Sequence, residues 1–258
     1  MQYITWQLES QIGFITLNRP DKKNALNRDF VSELEQAFSG AKTNPACRVV
    51  ILQSSGDVFC AGADLGYLKQ LQSNTHKENI EDSVHLMELF KLIYTFPKVV
   101  ISMVTGPAIA GGCGLATVTD YCFATPESKF GYSEVKIGFV PAIVMVFLLR
   151  KIGEGKAKEI LLSGEIFKAA RAKDIGLINT VVKPEEIKNF TIDFANSLIK
   201  KTSGQSVAII KQMIGDIPEL SLNDALQYAA EMNATMRQKD DCKKGISAFL
   251  NKESISWE

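Results

Sequence analysis

Histidine is nearly missing from this chain, with only His76 and His85 among 258 residues. Neither belongs to a His-Glu-x-x-His pattern or a Cys/His cluster, so no metal site is expected. Gly-x-Ser-x-Gly does not occur, which excludes a nucleophile elbow of the usual kind. Excess charge is missing as well, since 29 basic residues balance 29 acidic ones. Nothing in that balance draws a nucleic acid or an anionic membrane, and neither is expected as a partner. The apolar run IGFVPAIVMVFLL at 137–149 is broken by Gly138 and Pro141 and falls short of the ~18 residues a membrane span needs. It predicts a buried loop entering a helix. The cysteines, Cys47, Cys60, Cys113, Cys122 and Cys242, are odd in number and without metal-ligand spacing, which predicts buried reduced thiols. The first residues alternate polar and apolar without a basic-then-apolar leader, so a cytoplasmic location is expected.

What the chain does have is a large apolar fraction, 46%, enough for a substantial core. YITWQLE and IGFITLN alternate around Glu9, Ser10 and Gln11 and predict a β-hairpin. Phe30, Val31, Leu34, Ala37 and Phe38 recur at helical spacing behind Asn27, a suitable N-cap. VVILQSS, VVISMVTG and YCFAT read as buried strands. A helix through HLMELFKLIYTF is expected to stop before Pro97. Residues 70–79, around QSNTHKEN, read as a polar mobile segment forming a wall of the site. Beyond Pro141 the pattern is mostly helical, with a return to strand over 174–182 and an amphipathic helix capped by Ser221. The result is an α/β core of about three fifths of the chain followed by helices, without a low-complexity linker.

The segment GPAIAGGCGLATVTDYCFA, 106–124, puts three glycines at the start of a helix, where each costs stability. A dinucleotide loop is excluded because Gly111, Gly112 and Gly114 do not give Gly-x-Gly-x-x-Gly and no Walker lysine follows. Two readings remain. Small residues let a helix pack closely on a sheet, or they expose unpaired amides at a helix start to a ligand oxygen. A second turn, FCAGADLGYL at 59–68, also follows a buried strand and offers amides that two turns together can aim at one carbonyl. Taken alone, AGAD is an ordinary turn composition.

AGADL, GPAIAGGCGLA and FGYSEVKIGFVP occur in the order and approximate spacing of the crotonase superfamily, the enoyl-CoA hydratases and isomerases. LNRPDKKNALN, LLSGEIFKAARAKDIGLINTVV and KKGISAFLNK extend the resemblance over nearly the whole chain. It implies a spiral of repeated ββα units over 1–195 and a helical region, 196–258, for assembly as a homotrimer or dimer of trimers. It implies a coenzyme A thioester as substrate and no separate cofactor. The thioester oxygen would be held by the amides of Ala63 and Gly111, with Gly112 keeping the approach clear. Of the two glutamates that hold water in the best-known hydratases, one corresponds to Glu134 and the other to Gly114. Ala142 stands where many members have glycine. The resemblance further places Lys22, Lys23 and Ala25 near the adenine and pantetheine entry, Ala61 and Asp64 by the first oxyanion turn, and Phe249 and Lys252 against a neighbouring subunit's coenzyme A. Gly114 favours 3,2-enoyl isomerisation, whereas the segments 106–115 and 134–144 resemble a bacterial branch acting on 3-methylglutaconyl-CoA and related branched thioesters. Hydration is the expected reaction, with isomerisation and non-catalytic acyl-CoA binding as alternatives.

Overall fold

In the computed structural model, which describes residues 1–257, the chain opens on the expected hairpin. Strand β1 (Ile4–Glu9) pairs antiparallel with β2 (Ile12–Leu17). Ser10 and Gln11 close it with φ of 46° and 68°, the left-handed pair that matches the twist of the flanking strands. There follow α1 (Arg28–Thr43), β3 (Val49–Ser54), α2 (Leu65–Leu71), α3 (His76–Tyr94) and β4 (Val99–Val104). Then come β5 (Ala108–Ile109), α4 (Gly111–Thr117), β6 (Tyr121–Ala124), β7 (Lys129–Gly131), α5 (Ala142–Ser163), β8 (Ile166–Lys168), α6 (Ala169–Asp174) and β9 (Thr180–Val181). Helices α7 (Ile187–Lys201), α8 (Gly204–Asp216), α9 (Leu222–Arg237) and α10 (Asp240–Leu250) complete the described chain.

The main sheet runs β1-β2-β3-β4-β6-β9 and is parallel beyond the first hairpin. A small second sheet, β5-β7-β8, lies beside it. The parallel strands are buried on both faces, which is why their sequences read as continuous apolar runs. In β3 the alternation is still visible: Val50 and Leu52 join the core under α1 and α3, while Val49 and Ile51 pack with Ala195 and Ile199 of α7. Helix α1 buries the five residues read from its periodicity, and the Asn27 side chain accepts from the Phe30 amide at 3.0 Å. A cap of this kind contributes about 1 kcal/mol. The expected boundary between 195 and 196 falls inside α7.

Several local expectations are corrected. The polar segment over 70–79 carries regular structure at both ends: α2 runs through Leu71, and Thr75 with Glu78 forms a capping box that starts α3 at His76. Strand is confined to Thr180 and Val181 within 174–182, because α6 continues to Asp174 and a turn at Gly176 (φ 79°) follows. The apolar loop before α5 is exposed, not buried, with Ile137 at 68% and Phe139 at 55% of full exposure. Of the cysteines, Cys47, Cys60, Cys113 and Cys122 are buried and Cys242 is half-buried, all as free thiols. Among the described residues no helix is long and apolar enough to cross a membrane.

Candidate active site

Two turns meet at the ends of β3 and β4, as the sequence suggested. The turn after β3 is joined to the start of α1 by a parallel bridge between Leu26 and Ala63, in which Leu26 donates to Gly62 O at 2.7 Å and accepts from the Asp64 amide at 2.8 Å. A parallel bridge uses the groups flanking Ala63, so the Ala63 amide faces the other way. The turn after β4 carries Ala110 at φ 55° and ψ −129°, a strained conformation for a residue with a Cβ. Ala110 donates to Gly131 O at 2.8 Å, and its own carbonyl accepts from Cys113 and Gly114. Among the described residues neither the Ala63 nor the Gly111 amide has an acceptor. Helix α4 has only seven residues, so the amides themselves, more than a summed helix dipole, provide the anion affinity.

The glycines divide the two readings between them. A Cβ on Gly112 would lie 2.2 Å from Cys60 O, and one on Gly62 would lie 2.9 Å from Ala110 Cβ and 3.5 Å from Gly111 N. Gly62 (φ 89°) and Gly112 therefore let the two turns touch; Gly112 is buried against backbone and does not clear a ligand's approach. Gly111 borders the open side, where a Cβ would meet only Leu26 Cδ1 at 3.4 Å. Gly114 is also buried: a Cβ there would stand 2.2 Å from Val144 Cγ1 and 3.2 Å from Phe90 Cε1. Val144 thus fills the space next to Gly114 that a side chain would need. Gly114→Glu is accordingly expected to lower the melting temperature, with an overpacking cost of about 1–3 kcal/mol, and to add no hydration activity. A stable, faster Gly114→Glu enzyme would show that Val144 yields.

Both free amides open on a cavity of about 440 Å³ whose wall is mainly apolar, including Leu26, Val31, Leu68, Leu86, Ile143 and Val144. Glu134 belongs to this wall. It begins a short 3-10 turn, Glu134–Ile137, and is only 8% exposed. Its Oε2 is buried with no hydrogen-bond partner among the described residues, and burial raises its carboxyl above the ordinary glutamate range. The Glu134 backbone amide opposes this rise without cancelling it, and a carboxyl with a raised pKa lining the same cavity as two unused amides is suited to exchanging a proton.

The remaining expected residues are placed unequally. Ala61 lines the cavity, and its amide is taken by Lys23 O at 3.0 Å. Ala25 is buried behind Leu26 in the chain, and Lys22 and Lys23 are exposed outside the cavity wall. Their turn is fixed by Asn24, 1% exposed, whose amide donates to Ser55 O and Val58 O. Asp64 holds the loop together. Its carboxylate pairs with Arg19 at 2.9 Å and caps α2 through the Gly66 and Tyr67 amides. Burial acts to raise its pKa, but the Tyr67 amide, Arg19 and the Gly66 amide outweigh it and hold the carboxyl below its usual range. Phe249, 84% exposed, and Lys252 lie at the end of α10, away from this cavity. Sequence reading did not single out Arg28, Tyr67, Asp82 and His85, which line the same cavity from α1, α2 and α3. Their spacing carries no motif, and only the packing of three helices brings them together. Among the described residues no group of three or more His, Cys, Asp or Glu side chains is placed to hold a metal ion.

Comparison with known proteins bears on the family and the fold. The family model described as Enoyl-CoA hydratase/isomerase matches residues 7–258. The chain is 38% identical over 248 residues to a Thermus thermophilus protein carrying a provisional enoyl-CoA hydratase name, covering 95% of this chain and 96% of that one. It is 32% identical to the crotonyl-CoA hydratase of Syntrophomonas wolfei, covering 98% and 97% of the two chains. The crystal structure of an enoyl-CoA hydratase from Shewanella pealeana superposes with a TM-score of 0.92 at 28% identity, covering 99% of this chain and 96% of that one.

Proposed function

The chain belongs to the enoyl-CoA hydratase/isomerase family, and from that premise we propose that it adds water to the 2,3 double bond of a 2-enoyl-CoA thioester. The observation that carries this reading is the convergence of two acceptor-free amides and one buried carboxyl group whose Oε2 has no hydrogen-bond partner on a single apolar cavity. The Glu134 carboxylate takes a proton from water as the hydroxyl oxygen bonds to C3. Electrons of the double bond move onto the thioester oxygen, which the Ala63 and Gly111 amides hold as an enolate. The proton on Glu134 then passes to C2, and the enzyme returns to its starting state. Donors aimed at an oxygen that gains charge in the transition state supply a large part of such catalysis, about 3–4 kcal/mol for each donor. Coenzyme A enters and leaves as part of the thioester, so no further cofactor is needed.

The finer reading is a short or branched acyl group such as 3-methylglutaconyl. The cavity's apolar wall of Val31, Leu68, Leu86 and Val144 supports a short branched chain. Exposed Ile210, Ile214, Leu226, Phe249 and Leu250 on α8–α10 support assembly as a trimer or dimer of trimers through the C-terminal helices. Buried free thiols support a reducing, cytoplasmic setting. One observation favours isomerisation as a second reading: with Val144 filling the side at Gly114, Glu134 has no second carboxylate opposite it to share a water. From a 3-enoyl thioester it would then carry a proton from C2 to C4. Incubation with crotonyl-CoA, 3-methylglutaconyl-CoA and a 3-enoyl-CoA, followed by mass and retention analysis, separates these readings. Hydration is expected to add the mass of water; conversion of only the 3-enoyl thioester without mass change would replace hydratase by isomerase. No product from any would leave a non-catalytic acyl-CoA binder.

A further inference from the structure

Charged groups in the cavity wall are unevenly partnered. Asp82 accepts from the Tyr67 hydroxyl, and His85 Nε2 lies 3.1 Å from Glu35 Oε2. Glu134 has its chemical task. Arg28 remains: it lines the cavity as an exposed residue, its guanidinium meets the Tyr67 hydroxyl, and among the described residues it forms no ion pair. Its position makes the charge unusual. Arg28 is the first residue of the 16-residue helix α1, where aligned peptide dipoles favour an anion and disfavour a cation. The guanidinium there is held by the Tyr67 hydroxyl and solvent and by no carboxylate among the described residues, so it can receive an anion from the cavity.

The direction of the site follows from the bridge between Leu26 and Ala63. Because it is parallel, one segment runs from Lys22 and Lys23 past Leu26 to Arg28, alongside a segment running from Ala61 past Ala63 to Tyr67. A thioester oxygen on the Ala63 amide therefore has the exposed lysines on one side and Arg28 with Tyr67 on the other. A thioester lying with its nucleotide toward the lysines extends its acyl chain toward Arg28.

We propose that Arg28 is the specificity-determining residue of the acyl pocket and receives a carboxylate at the far end of the acyl chain, so that the preferred substrates are coenzyme A monothioesters of unsaturated dicarboxylic acids. This rests on the thioester reading given above. Arg28 presents planar, paired donors that match a carboxylate, while the Tyr67 hydroxyl occupies Asp82 and reduces its repulsion of an incoming anion.

The test compares binding of two saturated, unreactive thioesters, glutaryl-CoA and butyryl-CoA, to the wild type, Arg28→Gln and Arg28→Lys by calorimetry. Wild type is expected to prefer glutaryl-CoA. Arg28→Gln is expected to weaken glutaryl-CoA binding by about 10- to 100-fold, the value of a charge-assisted hydrogen bond, and to leave butyryl-CoA binding unchanged. Arg28→Lys should retain part of the preference. In turnover, the loss should raise KM for 3-methylglutaconyl-CoA and spare crotonyl-CoA. Equal weakening of both esters would assign Arg28 to the coenzyme A phosphates and overturn the proposal. So would a wild type without preference. Failure of the thioester reading itself would differ, since neither ester would then bind.

Discussion

Glu134→Gln is expected to slow turnover of the favoured enoyl thioester by at least ~100-fold, the lower range for loss of a general acid-base group. Affinity for a saturated acyl-CoA should change little. The substitution keeps shape and volume and removes only the capacity to take a proton. Both halves of the reaction, proton removal from water and delivery to C2, pass through this one carboxyl group, and His85, also in the wall, is engaged with Glu35. Asp82, the other carboxylate there, is held by Tyr67. Single-turnover measurement of product against binding measured by calorimetry separates the two effects. An unchanged rate would remove Glu134 from the mechanism and return the site to simple acyl-CoA binding.

The pH profile gives an independent reading of the same group. Burial raises the Glu134 pKa, and the base form is needed to start hydration. The acid limb of kcat/KM should therefore lie above the ordinary glutamate range, with activity lost as pH falls through the raised value. Stability moves in the opposite direction. A carboxyl whose folded pKa exceeds its unfolded one makes folding less favourable as pH rises between those two values. Glu134→Gln removes that penalty, so the variant should be at least as stable as the wild type at neutral pH. A melting temperature well below wild type would show that Glu134 has structural partners in the folded protein.

The part of this site legible in the sequence was the part made of backbone. Small residues after apolar strands mark turns whatever surrounds them, so the segments 59–68 and 106–115 stood out as turns, whereas family resemblance was needed to pick the Ala63 and Gly111 amides within them. Glu134 was different. A glutamate in a loop has no periodicity to show that it is buried, and only family resemblance selected it. The loop before α5 was misread because the run 137–149 is apolar for a reason other than core burial: its first residues border the cavity mouth. In the segment 70–79 the polar composition hid a helix start, although Thr75 and Glu78 are the signature of one. Arg28, Tyr67 and the Asp82–His85 pair of α3 lie on three different helices and become neighbours only through helix packing, which no local pattern encodes.

Gly112→Ala is expected to disable the enzyme while its neighbour Gly111→Ala leaves the fold intact. An added Cβ at 112 would lie 2.2 Å from the Cys60 carbonyl oxygen and 2.7 Å from its carbon. Both are backbone atoms, held by hydrogen bonds from Ile109 N to Cys60 O at 3.0 Å and from Cys60 N to Pro107 O at 3.2 Å. Neither can rotate away, so α4 must move back from the turn after β3. The cost has two parts. Overpacking lowers stability by about 1–3 kcal/mol, and displacement of the Gly111 amide from the Ala63 amide spoils the grip on the enolate oxygen. Loss of one such donor slows turnover by about 10²–10³-fold. At 111 the added methyl would only touch Leu26 Cδ1 at 3.4 Å, an ordinary contact with a flexible side-chain end. The measurement is thermal melting and kcat for both variants. If Gly112→Ala matched Gly111→Ala in stability and rate, close contact between the two turns would not set the spacing of the amides, and the oxyanion site proposed here would have to be held together some other way.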